Sequence, residues 1–95
     1  MSLSLTLDLQ DNLRNSIDLL NILGAETRVR ILQLISNGNK EFTIKDLAAN
    51  MNVGISNVSQ QVQKLVNAGL VAKVRVKETN EKLIRPLYKT ISVVL

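Results

Sequence analysis

Ser56, Asn57, Ser59, Gln60, Gln61, Gln63 and Lys64 gather four amides, two hydroxyls and one ammonium into nine residues that hold no carboxylate. These groups donate and accept hydrogen bonds but are poor reagents. Asn and Gln amides can bond an adenine edge at two points, and Ser can bond several bases. A helix whose outer surface serves only solubility mixes Glu with Lys so that the charges pair. Covalent chemistry lacks its usual tools here. The chain has no histidine and no cysteine, which removes the common general base, the commonest metal ligand and every thiol. Ser59 and Lys64 do not form a nucleophile–base pair, because a separation of five residues turns them to different faces of a helix. There is no phosphate-cradling glycine loop and no oxygen-ligand loop for a cation. No enzyme activity, cofactor or metal site is expected.

Two short helices must hold this polar set. Thr43 can cap a helix with Asp46 three residues on, a capping-box start with Asp in place of Glu. Leu47, Ala48 and Met51 share one face of it. Asn52-Val53-Gly54 stops it, since Asn and Gly both tolerate left-handed backbone. The next helix is expected over 55–68. Val58, Val62 and Leu65 recur at i, i+4 and i+7 and should face the core, and Gly69 ends the helix as a C′ glycine. The small Ala48 lets the two helices cross closely. Residues 43–69 therefore form either a plain helical hairpin with a polar surface or a helix-turn-helix, whose second helix enters the major groove of duplex DNA.

Charge favours the second reading. The net charge of the 95 residues is +4, but residues 1–59 carry five Lys/Arg against six Asp/Glu. Residues 60–95 carry seven (Lys64, Lys73, Arg75, Lys77, Lys82, Arg85, Lys89) against Glu78 and Glu81. A positive half of this kind is an electrostatic footprint for phosphates. Aromatic residues are only 2% of the chain and apolar residues 45%, so one aliphatic core in a single domain is expected. There is no basic secretory leader, and Asp8 and Asp11 interrupt the Leu-rich opening. No apolar run reaches membrane-spanning length. A cytoplasmic protein with no membrane partner is expected.

Around this centre the chain is mostly helical before residue 69 and strand-like after it. Leu3, Leu5, Leu7 and Leu9 alternate with polar residues, as an extended arm or short strand does. From Asp8 the period changes, and Leu9, Leu13, Ile17 and Leu20 predict a helix over 8–23, stopped at Gly24. Leu19, Ile22 and Leu23 widen its stripe. Either all of this stripe is internal, or one side packs on a second subunit, with Leu5, Leu9, Leu13, Ile17 and Leu20 at the contact. A second helix is expected over 25–37, with Val29, Leu32 and Ile35 or Ser36 inward and Ile31 and Leu34 broadening that face, and Asn37-Gly38-Asn39 stops it. Glu41-Phe42-Thr43 is a short extended link with Phe42 as a core plug. Lys73, Arg75 and Lys77 alternate with Val74 and Val76, and Leu83–Ile91 returns as a strand after a polar turn. A β-hairpin over 70–91, basic on one face, follows. Pro86 cannot donate to a ladder, which suits the distal part of a hairpin with no third strand alongside. Ile91, Val93 and Leu95 either extend that strand or pack on the N-terminal arm, of this chain or of a partner.

The expected fold class is mainly α with a small antiparallel β-hairpin, in the order of a winged helix-turn-helix. The segment Leu23-Gly24-Ala25-Glu26-Thr27-Arg28-Val29-Arg30-Ile31-Leu32 resembles the second-helix opening of the arsenic-repressor (ArsR-like) transcription regulators. Val58-Ser59-Gln60-Gln61-Val62-Gln63-Lys64-Leu65-Val66-Asn67-Ala68-Gly69-Leu70-Val71 is similar to their recognition helix and its exit into the wing, and Leu87-Tyr88-Lys89-Thr90 resembles their last wing strand. The resemblance spans about residues 18–91 and implies a homodimeric regulator of double-stranded DNA. In that reading Ser56, Asn57, Gln60 and Gln61 reach base edges. Ser59, Gln63 and Lys64 bond phosphates or flanking bases, and Lys73, Arg75, Lys77, Lys82 and Arg85 hold the wing on the backbone. The alternative is a winged-helix module that docks other proteins inside a larger assembly. The chain departs from the family's metal sensors. Phe42-Thr43-Ile44-Lys45-Asp46-Leu47 stands where they carry cysteines, and no His-bearing C-terminal helix follows the wing, so metal-responsive release is not expected. Residues 1–23 are expected to take over part of that helix's dimerising role. Gln60-Gln61 replaces a frequent Arg-His, so a different operator is expected.

Overall fold

The capping signals at Thr43 and Gly69 set the two ends of the helix pair around which the rest packs. The computed structural model describes residues 4–8, 13–37 and 40–94. In chain order these form β1 (Ser4–Asp8), α1 (Leu13–Leu23), α2 (Glu26–Ser36), β2 (Phe42–Thr43), α3 (Ile44–Met51), α4 (Ile55–Asn67), β3 (Val71–Arg75), β4 (Lys82–Pro86) and β5 (Thr90–Val94). Thr43 and Asp46 close a full capping box: Thr43 N–H donates to Asp46 Oδ2 at 3.0 Å and Asp46 N–H to Thr43 Oγ1 at 3.2 Å. Asn52 takes the left-handed conformation that ends α3 (φ 54, ψ 47). Gly54, in contrast to expectation, is extended (φ −61, ψ 143) and begins α4. One left-handed residue therefore suffices for the turn. At the far end, Gly69 at φ +76 lets its own N–H reach Val66 O and the Leu70 N–H reach Leu65 O, both at 3.0 Å. This is a Schellman cap, and buried Leu70 supplies the hydrophobic contact that accompanies it.

Leu47, Val58, Val62 and Leu65 are fully buried, joined by Ile31, Ile35, Phe42, Ala48, Met51, Leu70, Val71 and Ile84. Each large aliphatic side chain so buried stabilises the fold by about 1.5–3 kcal/mol before entropy is counted. The inner line of α2 runs through Ile31 and Ile35, while Val29 and Leu32 are only half-buried. The buried line thus centres on Ile31, expected only to broaden the face, and on Ile35, expected inward.

Three strand expectations need correction. The three-stranded sheet has the order β2-β4-β3, so the strand ending in Pro86 is central rather than unaccompanied. Pro86 lies opposite Val71 at the base of the hairpin, two residues beyond Ile84, the last residue of β4 that pairs with β2. Its missing N–H falls where that second neighbour has ended. The alternation through Leu83–Ile91 is not one strand: Leu87–Lys89 breaks it, and Leu87 N–H turns to Leu70 O at 3.0 Å. The C-terminal part becomes β5, which pairs in parallel with β1 of the same chain, Ser4 opposite Thr90 through Asp8 opposite Val94. Ser4–Asp8 is thus the short strand that the alternation predicts, but Asp8, expected to open the helix, still belongs to it, and α1 is described from Leu13. Among the described residues four helices, with the β2-β4-β3 sheet following the helix pair, make a winged helix-turn-helix, α4 standing in the position of its recognition helix and the β3–β4 hairpin in that of its wing.

Candidate nucleic-acid interface

The polar set lies mainly on the outward side of α4. Its burial runs through Val58, Val62 and Leu65, so at 100° per residue Ser56, Gln60 and Gln63 point away from the core. All three are exposed, as are Asn57 and Lys64. Ser59 and Gln61 lie on the two flanks and are half-buried. The first turn of α4 contains no acid, and Gly54 gives it no side-chain cap. Its first N–H groups and the positive end of the helix dipole are therefore not neutralised by the protein's own side chains.

Hydrogen bonds organise this surface into two chains. On one flank Arg28, from α2, donates through Nη1 to Gln61 Oε1 at 2.8 Å, and Gln61 Nε2 donates to Asn57 Oδ1 at 3.1 Å. The same guanidinium holds the C-terminal carbonyls of α1, through Nε to Ile22 O at 2.6 Å and Nη2 to Asn21 O at 3.3 Å. On the other flank Lys73 Nζ, from the wing, donates to Gln63 Oε1 at 2.8 Å, and Gln63 Nε2 donates to Asn67 Oδ1 at 2.9 Å. The Lys73 bond ties wing to recognition helix, so the two present one surface. Among the described residues Ser56, Ser59, Gln60 and Lys64 have no side-chain partner.

The wing's basic residues do not share one face. Lys73 lies opposite Ile84 and Arg75 opposite Lys82, whereas Arg85 lies opposite Ala72. Residues directly opposite point the same way, and successive residues alternate. Lys73, Arg75 and Lys82 therefore stand on the recognition-helix side. Arg85 stands on the reverse side, where its Nη2 pairs with Glu41 Oε1 at 2.7 Å. Lys77 sits in the turn at the hairpin tip, which left-handed Asn80 (φ 60) closes. Arg75 and Lys82, like charges facing each other across the ladder, repel unless an anion lies between them.

Of the expected subunit-contact residues, Leu5 is half-buried and packs on the core, and Leu20 is half-buried. Ile17 is 44% exposed. Leu9 and the side chain of Leu13 lie outside the described residues. Sequence reasoning missed Arg28, which no periodicity links to a helix 33 residues away, and Ile55, an apolar side chain 53% exposed at the head of α4. Within residues 42–47 the one carboxylate, Asp46, is engaged by Thr43. The Thr43 backbone N–H holds its pKa below the ordinary carboxylate value, helped by the Thr43 hydroxyl and Lys40. No helix among the described residues is long and apolar enough to cross a membrane.

Comparison with known proteins agrees with this geometry. The family described as bacterial regulatory protein, arsR family, matches residues 25–73. Over 63 residues, 66% of the chain, the sequence is 33% identical to a candidate arsenical resistance operon repressor of Halobacterium salinarum, of whose length the chain spans about half (53%). Two solved structures share the fold. One is the homodimeric winged helix-turn-helix DNA-binding domain of a possible ArsR-family transcriptional regulator from Mycobacterium bovis (TM-score 0.69, 22% identity, 82% of this chain and 68% of that one). The other is reduced HlyU from Vibrio cholerae (TM-score 0.69, 23% identity, 82% and 78%).

Proposed function

Because the chain belongs to the arsR family of bacterial regulatory proteins, we propose that it is a sequence-specific double-stranded DNA-binding transcription regulator that acts in the cytoplasm as a homodimer. The observation that carries this is the continuous surface of α4 and wing, joined by the Lys73–Gln63 bond. Ser56, Asn57 and Gln60 face base edges in the major groove, with Gln61 behind them. Ser59, Gln63 and Lys64 meet phosphates or flanking bases. Lys73, Arg75, Lys77 and Lys82 hold the backbone beside the groove, so that phosphate contacts position the protein and base contacts specify the sequence. Arg85, turned to the reverse face and paired with Glu41, is left out of the contact. The homodimer rests on the exposed Ile17 of α1 and on the homodimeric relative of the same fold. A two-fold dimer sets its recognition helices about 34 Å apart on a roughly palindromic site.

Release by a metal ion does not fit these residues. The chain offers no thiolate or imidazole, and the carboxylate of Asp46 already caps α3. A gel shift tests the main reading. Retardation of mixed genomic duplex by micromolar protein at low salt, outcompeted by a selected palindrome, is the expected result. No retardation at that concentration removes the DNA-binding reading and favours a protein-docking module.

A further inference from the structure

Resting on the duplex-reading role above, we infer that Arg28 fixes the direction of the amides on the recognition helix, so that Asn57 presents its NH2 rather than its carbonyl to DNA. The base Asn57 faces is then guanine.

The argument needs only donor and acceptor inventories. An arginine has five N–H donors and no acceptor. The Gln61 atom 2.8 Å from Arg28 Nη1 is therefore the carbonyl oxygen. The Gln61 NH2 is then turned toward Asn57, and at 3.1 Å it meets Oδ1, the only Asn57 side-chain atom able to accept. Asn57, which is exposed, is left with Nδ2 facing outward. Arg28 cannot drift from this role, because Ile22 O and Asn21 O hold its other nitrogens. Lys73, Gln63 and Asn67 repeat the arrangement on the other flank, with lysine as the donor-only anchor. The recognition surface is thereby biased toward donors at both ends.

The consequence is a base preference opposite to the simple one. Bidentate reading of adenine needs the oxygen and the nitrogen of one amide side by side at the base. The Asn57 oxygen is turned inward, so that reading is lost. Guanine offers two adjacent acceptors, N7 and O6, to the outward Asn57 NH2 and to the second hydrogen on Gln61 Nε2, whereas thymine offers only O4 and adenine only N7, beside a competing donor, so guanine is preferred. Cytosine, whose edge carries a donor, is rejected. Arg28 thus acts as a positioning residue that touches no DNA, and Asn57 sets the specificity.

The test is a selection from a randomised duplex library with the wild type, Asn57→Asp and Gln61→Glu. Asn57→Asp presents only oxygen outward, and the position whose base it changes locates the contact; guanine in the wild type and cytosine in the variant are expected there. Gln61→Glu keeps its partner Arg28 but makes the atom facing Asn57 an acceptor. Asn57 must then turn over and present its oxygen, and the preference at the same position should move from guanine to cytosine or adenine, by about tenfold in relative affinity. A wild-type preference for adenine, thymine or cytosine at the position located by Asn57→Asp overturns the inference even if Gln61→Glu does not fold. So does an unchanged guanine preference in folded Gln61→Glu. A wild type that enriches no duplex removes the DNA-reading role itself, and the inference with it.

Discussion

Replacing Arg75 and, separately, Arg85 by Ala distinguishes the two faces of the wing. Both are exposed basic residues of one hairpin, and by composition alone they are equivalent. The strand register separates them, with Arg75 opposite Lys82 on the recognition-helix side and Arg85 opposite Ala72 on the reverse. Each protomer then offers five cations, Lys64, Lys73, Arg75, Lys77 and Lys82, of which about four meet phosphates at once. A dimer neutralising about eight phosphates has log K falling with log salt at a slope of about −7, at about 0.9 per phosphate. Arg75→Ala removes two contacts per dimer and brings the slope to about −5.4. Between 50 and 200 mM salt the wild type should lose about 4.3 decades of affinity and the variant about 3.2, so their difference narrows about tenfold across that range. Arg85→Ala should leave the slope near that of the wild type, because its charge is already met by Glu41 at 2.7 Å. Loss of that exposed ion pair should change stability by no more than about 1 kcal/mol. Fluorescence anisotropy on one labelled duplex across the salt range reads both slopes. Equal flattening by the two variants, or none by Arg75→Ala, refutes the assignment of faces.

Three further outcomes rest on the same geometry. Thr43→Ala removes one half of the capping box and should lower stability by about 1 kcal/mol in a thermal or denaturant melt. The Asp46 pKa is lowered in the folded state by the Thr43 N–H, so its contribution is present above the unfolded carboxylate value, about 3.9. That contribution is lost as pH falls through the lower folded value; Asp46→Asn should therefore lose stability at neutral pH and show a shallower acid limb below about pH 4. Ile17→Asp puts a charge on the exposed apolar position of α1 and should convert the dimer to monomer in light scattering. A variant that stays dimeric places the subunit contact elsewhere.

Local signals in the sequence carried the helix pair well. Thr43 with Asp46, and Gly69 with its Schellman bonds, act within a few residues, and Val58, Val62 and Leu65 repeat at a period that only a helix satisfies. What the sequence hid depends on which strand lies beside which. The alternation through Leu83–Ile91 suits any extended segment, and it cannot say that Ile84 lies between Phe42 and Lys73 while Ile91 lies beside Leu5. The same blindness put Arg85 with Arg75: their faces follow from the register across the hairpin, which the turn of residues 76–81 sets.

The recognition surface shows the same division at the level of single atoms. That the helix face lacks acids is plain from residue types, and so is its capacity to bond bases. An amide, however, is both donor and acceptor, and its type leaves open which end it offers. That choice is made by Arg28 and Lys73, which lie 33 and 10 residues from the glutamines they hold and belong to other elements. Neither a helical period nor a strand alternation connects such positions. A glutamine-rich helix with free amides could turn them to suit several bases. Here Gln61 and Gln63 are anchored, while Gln60 has no side-chain partner among the described residues. Selectivity should therefore be sharpest where Asn57 meets the groove and most permissive where Gln60 does.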